Sequence, residues 1–256
     1  MPVTVKSKSK VFISTVLPGS CVLCKGSVSH HNNCLCNLCI ANLPWLLNKC
    51  PRCSIPFAPN KLCPDCQKTP PVFRRCISAI EYKIGAVDKL IMNIKRNPFC
   101  PEIEELSRLL AHTIEQAYQG TCIPSIIIPV PLHWRKLMSR GFNQSSSIAR
   151  IVASHFSHTK VHENLFIRPK HSSPQHLKTK KQRMLDMRNV FTMHIGHNKV
   201  QGDAQLTFSG KSVAIVDDVV TTGATANALA RTLLNSGAKY VDIWSIARTG
   251  WHNASW

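Results

Sequence analysis

The sequence predicts an α/β protein in which a parallel-sheet domain follows a small cysteine-rich domain. Three observations carry this. Eight of the twelve cysteines form four C-x2-C units, all before residue 70. Beyond them, short apolar runs of strand length alternate with segments whose apolar residues recur at helical spacing, the pattern of a parallel sheet covered by helices. Finally, two adjacent aspartates, Asp217 and Asp218, close one apolar run just before a helical segment, which is where such sheets bind ligands.

The 256 residues suffice for two domains of ordinary size, here 1–70 and 71–256. Apolar residues make up 44% and charged residues 18%, which excludes a chain too polar to fold. Lys and Arg number 32 against 13 Asp and Glu, a net charge of +19. Such an excess draws polyanions: nucleic acid, an anionic membrane surface or phosphorylated metabolites. No membrane span is expected, because the longest apolar stretches, such as IPSIIIPVPL, fall well short of the ~20 residues a helix needs to cross a bilayer. The basic start carries only VFISTVL as an apolar piece, with no small-residue cleavage site after it, so a cytoplasmic protein is expected. In that reducing compartment twelve cysteines point to metal rather than to disulfides.

The cysteine units are Cys21-x2-Cys24, Cys36-x2-Cys39, Cys50-x2-Cys53 and Cys63-x2-Cys66, with eleven residues between the first two and nine between the last two. One C-x2-C turn holds two thiolates on one side of a metal ion, and a second completes a tetrahedron. One or two structural zinc ions are expected, with sequential and interleaved pairing of the units both open. Cys34, His30 and His31 are alternative ligands at the first site, whereas Cys76, Cys100 and Cys122 are expected as small core residues. Asp65 is the only carboxylate before Glu81, so the acids that metal catalysis needs are missing here.

After the linker KTPPVF, RRCISAIEYK reads as a strand, and the segment behind it as a helix with Val87, Leu90, Ile91 and Ile94 on one face. PEIEELSRLLAHTIEQAYQG is a clearer helix, started by Pro101 and its glutamates and ended before Gly120. SIIIPVPL is a buried strand, and GFNQSSSIARIVASHF a helix with Ile148, Ile151 and Val152 on one face. KSVAIVDD, TANALARTLLNSG and YVDIWSIART then form strand, helix and strand. Ala226, Leu229, Ala230 and Leu233 make the helix's apolar stripe, and Gly237 caps it.

VAIVDDVVTTGAT, Val213 to Thr225, carries the chemistry. Two neighbouring carboxylates repel each other and neither gains from leaving water, so something nearby should offset that cost. TTGAT falls at a helix N-terminus, where free N–H groups and the helix dipole hold an anion. Gly223 permits close backbone approach, and Thr221, Thr222 and Thr225 add hydroxyl donors. Together they cradle one phosphate. The two aspartates can accept hydrogen bonds from sugar hydroxyls and help hold the water shell of a magnesium ion. A ribose 5-phosphate spans that gap.

The same stretch resembles the phosphoribosyl-pyrophosphate motif of type I phosphoribosyltransferases: aliphatic strand, acidic pair, then Thr-Thr-Gly-x-Thr. Taken with the cysteine units, LIMNIKRN, PVPLHWRKLMSRGFNQ and KTKKQRMLDMRNVF in this order, the chain from about Cys21 to Arg248 resembles the ComF family (ComFC, GntX-like) of competence-associated proteins. The resemblance implies a double zinc ribbon before a phosphoribosyltransferase-like domain that takes phosphoribosyl pyrophosphate with magnesium. It implies that Asp217 and Asp218 hold the ribose hydroxyls and magnesium, and that the turn from Val219 through Thr221, Thr222, Gly223, Ala224 and Thr225 holds the 5-phosphate. The PVPLHWRK turn resembles a pyrophosphate loop, with Arg135 and Lys136 as its cations and Arg140 as a second-rank contributor. Lys95 stands where the family commonly has a lysine, and reads equally as a surface residue. If transfer occurs, pyrophosphate leaves the anomeric carbon, and a carboxylate such as Asp218 stabilises the positive charge that the ribose develops.

Three functions fit these residues. The family resemblance, the charge and the ribbons favour a natural-transformation protein that handles single-stranded DNA and retains the sugar-phosphate pocket. A competence helicase or DNA-uptake channel protein is then the implied partner. Arg168, Lys170, Lys178, Lys180, Lys181, Arg183 and Arg188 set seven positive charges against Asp186 and are the expected nucleic-acid contacts, although such a run also suits a solvated loop. Trp45, Trp134 and Phe142 are candidate stacking residues. The alternative is an active phosphoribosyltransferase of nucleotide metabolism, whose difficulty is the acceptor, since only TGWHNASW follows Arg248 to cover a base. The third is a non-catalytic zinc-ribbon adaptor.

Overall fold

The computed structural model describes residues 19–28, 34–82, 84–167, 192–193 and 208–250. The cysteine-rich part is one small design used twice. In each copy the first C-x2-C turn is closed by a backbone hydrogen bond, Cys21 N to Gly26 O and Cys50 N to Ile55 O, both 2.8 Å. A residue in the left-handed region follows each turn, Lys25 at φ 65° and Ser54 at φ 57°, and reverses the chain. The second C-x2-C then opens a short helix, α1 (Asn37–Ala41) in one copy and α2 (Pro64–Lys68) in the other.

The chain continues through β1 (Arg75–Tyr82), α3 (Val87–Arg96), α4 (Pro101–Ala117), β2 (Ile126–Pro129), α5 (Trp134–Arg140), α6 (Gln144–Ser154) and β3 (Lys160–Val161). It ends with the short β4 (Phe166–Ile167) and β5 (Thr192–Met193), then β6 (Ser212–Val220), α7 (Ala224–Asn235) and β7 (Tyr240–Thr249). The main sheet has the order β1-β7-β6-β2-β3, every neighbouring pair parallel. Parallel neighbours need crossovers, and the helices that make them bury their stripes on the two faces. Val87, Leu90, Ile91 and Ile94 of α3 pack with α4 and α6 over Ala214, Val216 and Trp244. Ala226, Leu229, Ala230 and Leu233 of α7 cover Val213, Ile215, Val241 and Ile243 on the other face. Chain progression reverses between β2 and β6, so a crevice opens at their C-terminal ends, where Val130 N meets Val216 O at 2.9 Å. Asp217 follows directly.

The cysteine-rich part is fused to this sheet. β1 is an edge strand, and Pro44–Leu46 runs antiparallel along it, with Leu46 N to Ala79 O at 3.0 Å and Glu81 N to Pro44 O at 2.8 Å. Cys21, Val28, Leu35 and Leu43 share a core with α3 and α4. The second copy joins the sheet through Cys76 N to Arg52 O, 2.8 Å, and Ser54 Oγ to Cys76 O, 2.6 Å.

Three details differ from the sequence reading. WRKLMSR forms α5, which buries no residue, where only a turn was expected. β6 runs past the acidic pair to Val220 because Val219 and Val220 pair with Ala247 and Arg248 of β7. Cys76 and Cys100 are buried as expected, but Cys122 is exposed, since it lies in the turn after α4 rather than on a packed face. Among the described residues no helix is long and apolar enough to cross a membrane.

At the opposite end of β7, Asp242 is fully buried and gathers cations. Arg74 Nε donates to its Oδ1 at 2.8 Å, Arg74 Nη2 and the Tyr118 hydroxyl both donate to Oδ2, and Arg75 Nε lies 3.5 Å away. Removing one partner of a buried ion pair leaves the other desolvated without compensation. Asp242→Asn is therefore expected to cost about 3 kcal/mol, the lower end of that range because Arg74 keeps 36% of its side chain in water. Urea denaturation measures it.

Candidate functional site

The two aspartates are held differently. Asp217 is half-buried and accepts a hydrogen bond from Ser145 Oγ at 3.1 Å, while its own Oδ1 also takes the Asp218 amide at 3.0 Å. Burial first, and then the Asp218 carboxylate, push its ionisation well above the usual carboxylate range. Asp218 is buried, and its Oδ2 faces the Lys95 ammonium at 3.1 Å. That oxygen is sealed from solvent and meets the ammonium without a well-aligned hydrogen bond. Toward the C-terminal end of β6 the acid pair thus meets the Ser145 hydroxyl through Asp217 and the Lys95 ammonium through Asp218.

Five residues on, the chain enters α7. Gly223 is its N-cap, at φ 77°, a conformation that costs other residues about 1–2 kcal/mol. Thr222 Oγ1 accepts from Ala224 N at 3.3 Å, and Thr221, Thr222 and Ala224 are exposed. Asn227 N donates to Gly223 O at 2.8 Å, the first hydrogen bond of the helix, and the N–H groups of Thr225 and Ala226 before it have no intrahelical acceptor. Helix N-terminus, left-handed glycine and hydroxyls therefore fall together at the end of the strand that carries the acids.

Arg135 and Lys136 lie exposed on α5, which follows β2 at the same end of the sheet, with the Arg135 guanidinium 5.4 Å over the Trp134 ring. His133 caps α5 by accepting from Arg135 N at 3.3 Å. Arg140 is tied to Gln144 Oε1 at 3.1 Å. Of the candidate stacking residues, Trp45 is half-buried with its Nε1 donating to Ile40 O at 2.9 Å, Phe142 is half-buried, and Trp134 is exposed. Arg168, Lys170, Lys178, Lys180, Lys181, Arg183 and Arg188 lie outside the described residues, as do His30 and His31. Ser145 was not singled out from sequence, and neither was Arg248, which is buried against the turn between β6 and α7. Neither belongs to a local motif.

The thiols settle the pairing question. The Sγ atoms of Cys21, Cys24, Cys36 and Cys39 lie within 4.8 Å of one another, and so do those of Cys50, Cys53, Cys63 and Cys66. The pairing is sequential. A tetrahedron with Zn–S bonds of about 2.3 Å separates its sulfurs by about 3.8 Å. Cys24 to Cys36 and Cys53 to Cys63 are both 3.6 Å apart, which suits metal ligands and is far beyond the ~2.05 Å of a disulfide. Burial opposes ionisation of Cys21, but amides of Cys24, Cys36 and Leu23 outweigh it and bring the thiol down to about 6. Cys34 goes the other way: burial and then the Glu105 and Glu102 carboxylates push it up to about 12, so it stays a thiol outside the cluster. These are structural zinc sites, each filled by four protein sulfurs.

Comparison with known proteins agrees with the reading of the cysteine-rich part. Residues 12–67 match the family model described as a double zinc ribbon domain. The DNA utilization protein YhgH of Escherichia coli O6:H1 is 30% identical over 236 residues, which cover 91% of this chain and 98% of that protein. Competence protein F of Haemophilus influenzae is 28% identical over 89% of this chain and 96% of its own length. Solved structures with local similarity include a purine phosphoribosyltransferase from Pyrococcus horikoshii, 18% identical over 57% of this chain and 72% of that one, with a TM-score of 0.32. A Trypanosoma cruzi hypoxanthine phosphoribosyltransferase is 14% identical over 57% of this chain and 64% of that one, at a TM-score of 0.36. Fold and site define a class: a double zinc ribbon joined to a parallel-sheet α/β domain. Within that class the chain belongs to the ComF family, to which its 30% identity over nearly the full length of YhgH assigns it.

Proposed function

We propose that this protein binds phosphoribosyl pyrophosphate with magnesium at Asp217–Thr225 and handles single-stranded DNA in the cytoplasm during DNA uptake. The observation that carries the first half is the joining, on one strand-to-helix connection, of an acid pair met by Lys95 to a left-handed glycine at a helix N-terminus. In this reading Asp217 and Asp218 accept the ribose hydroxyls, and N–H groups of the turn from Thr221 to Thr225 donate to the 5-phosphate. Arg135 and Lys136, at the end of β2, meet the pyrophosphate. Magnesium would supply charge neutralisation on the pyrophosphate, with the acid pair at its water shell. Titration calorimetry on zinc-loaded protein tests this. Heat of binding with magnesium is expected, and its absence sinks the reading.

The DNA half draws on the relatives named for DNA utilization and competence, and on the +19 charge. The β4–β5 pair, Phe166 opposite Met193, brings together the two ends of the segment that contains the seven-cation run. Micromolar-class binding of single-stranded DNA is expected, falling about tenfold or more on a severalfold rise in salt. Fluorescence anisotropy at two ionic strengths checks it, and affinity that ignores salt would count against an electrostatic contact. A competence helicase or channel component remains the partner of choice.

One observation favours an active transferase as second reading. A cavity of about 570 Å³, lined by Pro131, Trp134, Leu137, Phe142, Asn143 and Phe166, opens beside the candidate pyrophosphate turn. It has the size and the aromatic lining for a planar base. Release of pyrophosphate with any member of a base panel would establish turnover.

A further inference from the structure

We infer that Arg248 couples the second zinc site to the phosphate turn and acts as a positioning residue for sugar-phosphate binding. The inference rests on the reading of that turn proposed above. Arg248 is near the end of β7 and only 5% exposed. Its Nε donates to Cys53 O at 2.9 Å. Its Nη1 donates to Val220 O at 3.1 Å, to Thr221 O, and to Thr249 O at 3.2 Å. Cys53 is a ligand of the second zinc site, and Val220 and Thr221 begin the phosphate turn. One rigid, planar guanidinium therefore spans both.

The consequence follows from the planarity of the peptide unit. In a trans peptide the C=O of one residue and the N–H of the next point in opposite directions. Drawing the Val220 and Thr221 carbonyls toward Arg248 therefore turns the Thr221 and Thr222 N–H groups the other way, out of the protein. Those are the exposed residues at the head of the cradle. The guanidinium is held in turn by the carbonyl of Cys53, whose place depends on the tetracysteine site. Zinc in the second site and phosphate on the turn thus stabilise the same arrangement, and each should tighten the other by the same factor.

The test uses the full zinc-loaded chain with Arg248→Met, and with Arg248→Lys, which keeps the charge without the fork. Hydrogen exchange of the amides of Val219–Thr225, without ligand, is expected to quicken about tenfold in Arg248→Met while β1 amides stay unchanged. Transfer of zinc to a chromogenic chelator is the second readout. Phosphoribosyl pyrophosphate with magnesium should slow release of one of the two zinc ions about fivefold or more in the wild type, and not in the variant. Unchanged turn exchange in the folded variants overturns the inference. Should Arg248→Met fail to fold, Arg248→Lys decides in the same way. If the wild type binds no ligand, the zinc arm is flat in every protein and the proposed function falls, while the exchange arm still decides for or against Arg248.

Discussion

Asp217→Asn is expected to weaken binding of phosphoribosyl pyrophosphate with magnesium by roughly 10- to 100-fold while making the ligand-free chain more stable. Magnesium and the ribose hydroxyls would draw Asp217 into its ionised form on binding, and a hydrogen bond to a charged group contributes about 1.5–3 kcal/mol, with about 1.4 kcal/mol tenfold in affinity. The opposite sign on stability arises because Asp217 is half-buried beside the Asp218 carboxylate, and the amide removes that repulsion while leaving Asp218 with Lys95. Asp218→Asn behaves differently. It strands the Lys95 ammonium, so both affinity and stability fall. Ligand calorimetry with thermal melting separates the two variants, and equal behaviour of both would refute the division of labour. The pH dependence has a definite sign. The folded chain keeps the Asp217 proton that an unfolded aspartate sheds near pH 4, so its contribution is complete below that pH. It is lost as pH rises toward the raised native value. The melting advantage of Asp217→Asn should therefore grow as pH increases.

Emptying the second zinc site is expected to cost more than any substitution in the sheet. Cys50→Ser with Cys63→Ser should lower the zinc content from two ions per chain to one, read by elemental mass spectrometry. A tetracysteine site contributes about 10–16 kcal/mol of binding free energy, which is folding free energy when the unfolded chain has no site. The buried thiols it organises, Cys50, Cys63 and Cys66, form with Ile55 a small core of their own. Without metal that cluster cannot hold the turn, so a loss of at least about 5 kcal/mol is expected, comparable with the whole stability of an ordinary domain. Melting with and without a chelator measures it. Metal-free protein that melts at the same temperature would show the ions to be dispensable.

How much of this was legible in the sequence depends on how local the cause was. The stripes of α3 and α7 were readable because their apolar residues repeat with the helix, and Val87, Leu90, Ile91, Ile94, Leu229 and Leu233 are all buried. The acidic pair and Gly223 were readable because their chemistry is contiguous. α5 was not, because it buries nothing and leaves no stripe. The pairing of the cysteine units was not, since a C-x2-C turn serves either arrangement equally well. Ser145 and Arg248 escaped for a related reason. They reach partners 72 and 195 residues away, contacts that only the folded sheet creates.

The strip of chain at Pro44–Leu46 has a meaning beyond packing. It occupies the row of N–H and C=O groups along β1 that would otherwise stand open to another molecule's strand. Since the two metal sites lie on either side of this strip, the ions act as clasps on a guard rail. A zinc-starved chain would thus be sticky as well as soft, and metal shortage would surface as turbidity and self-assembly into β-rich aggregates.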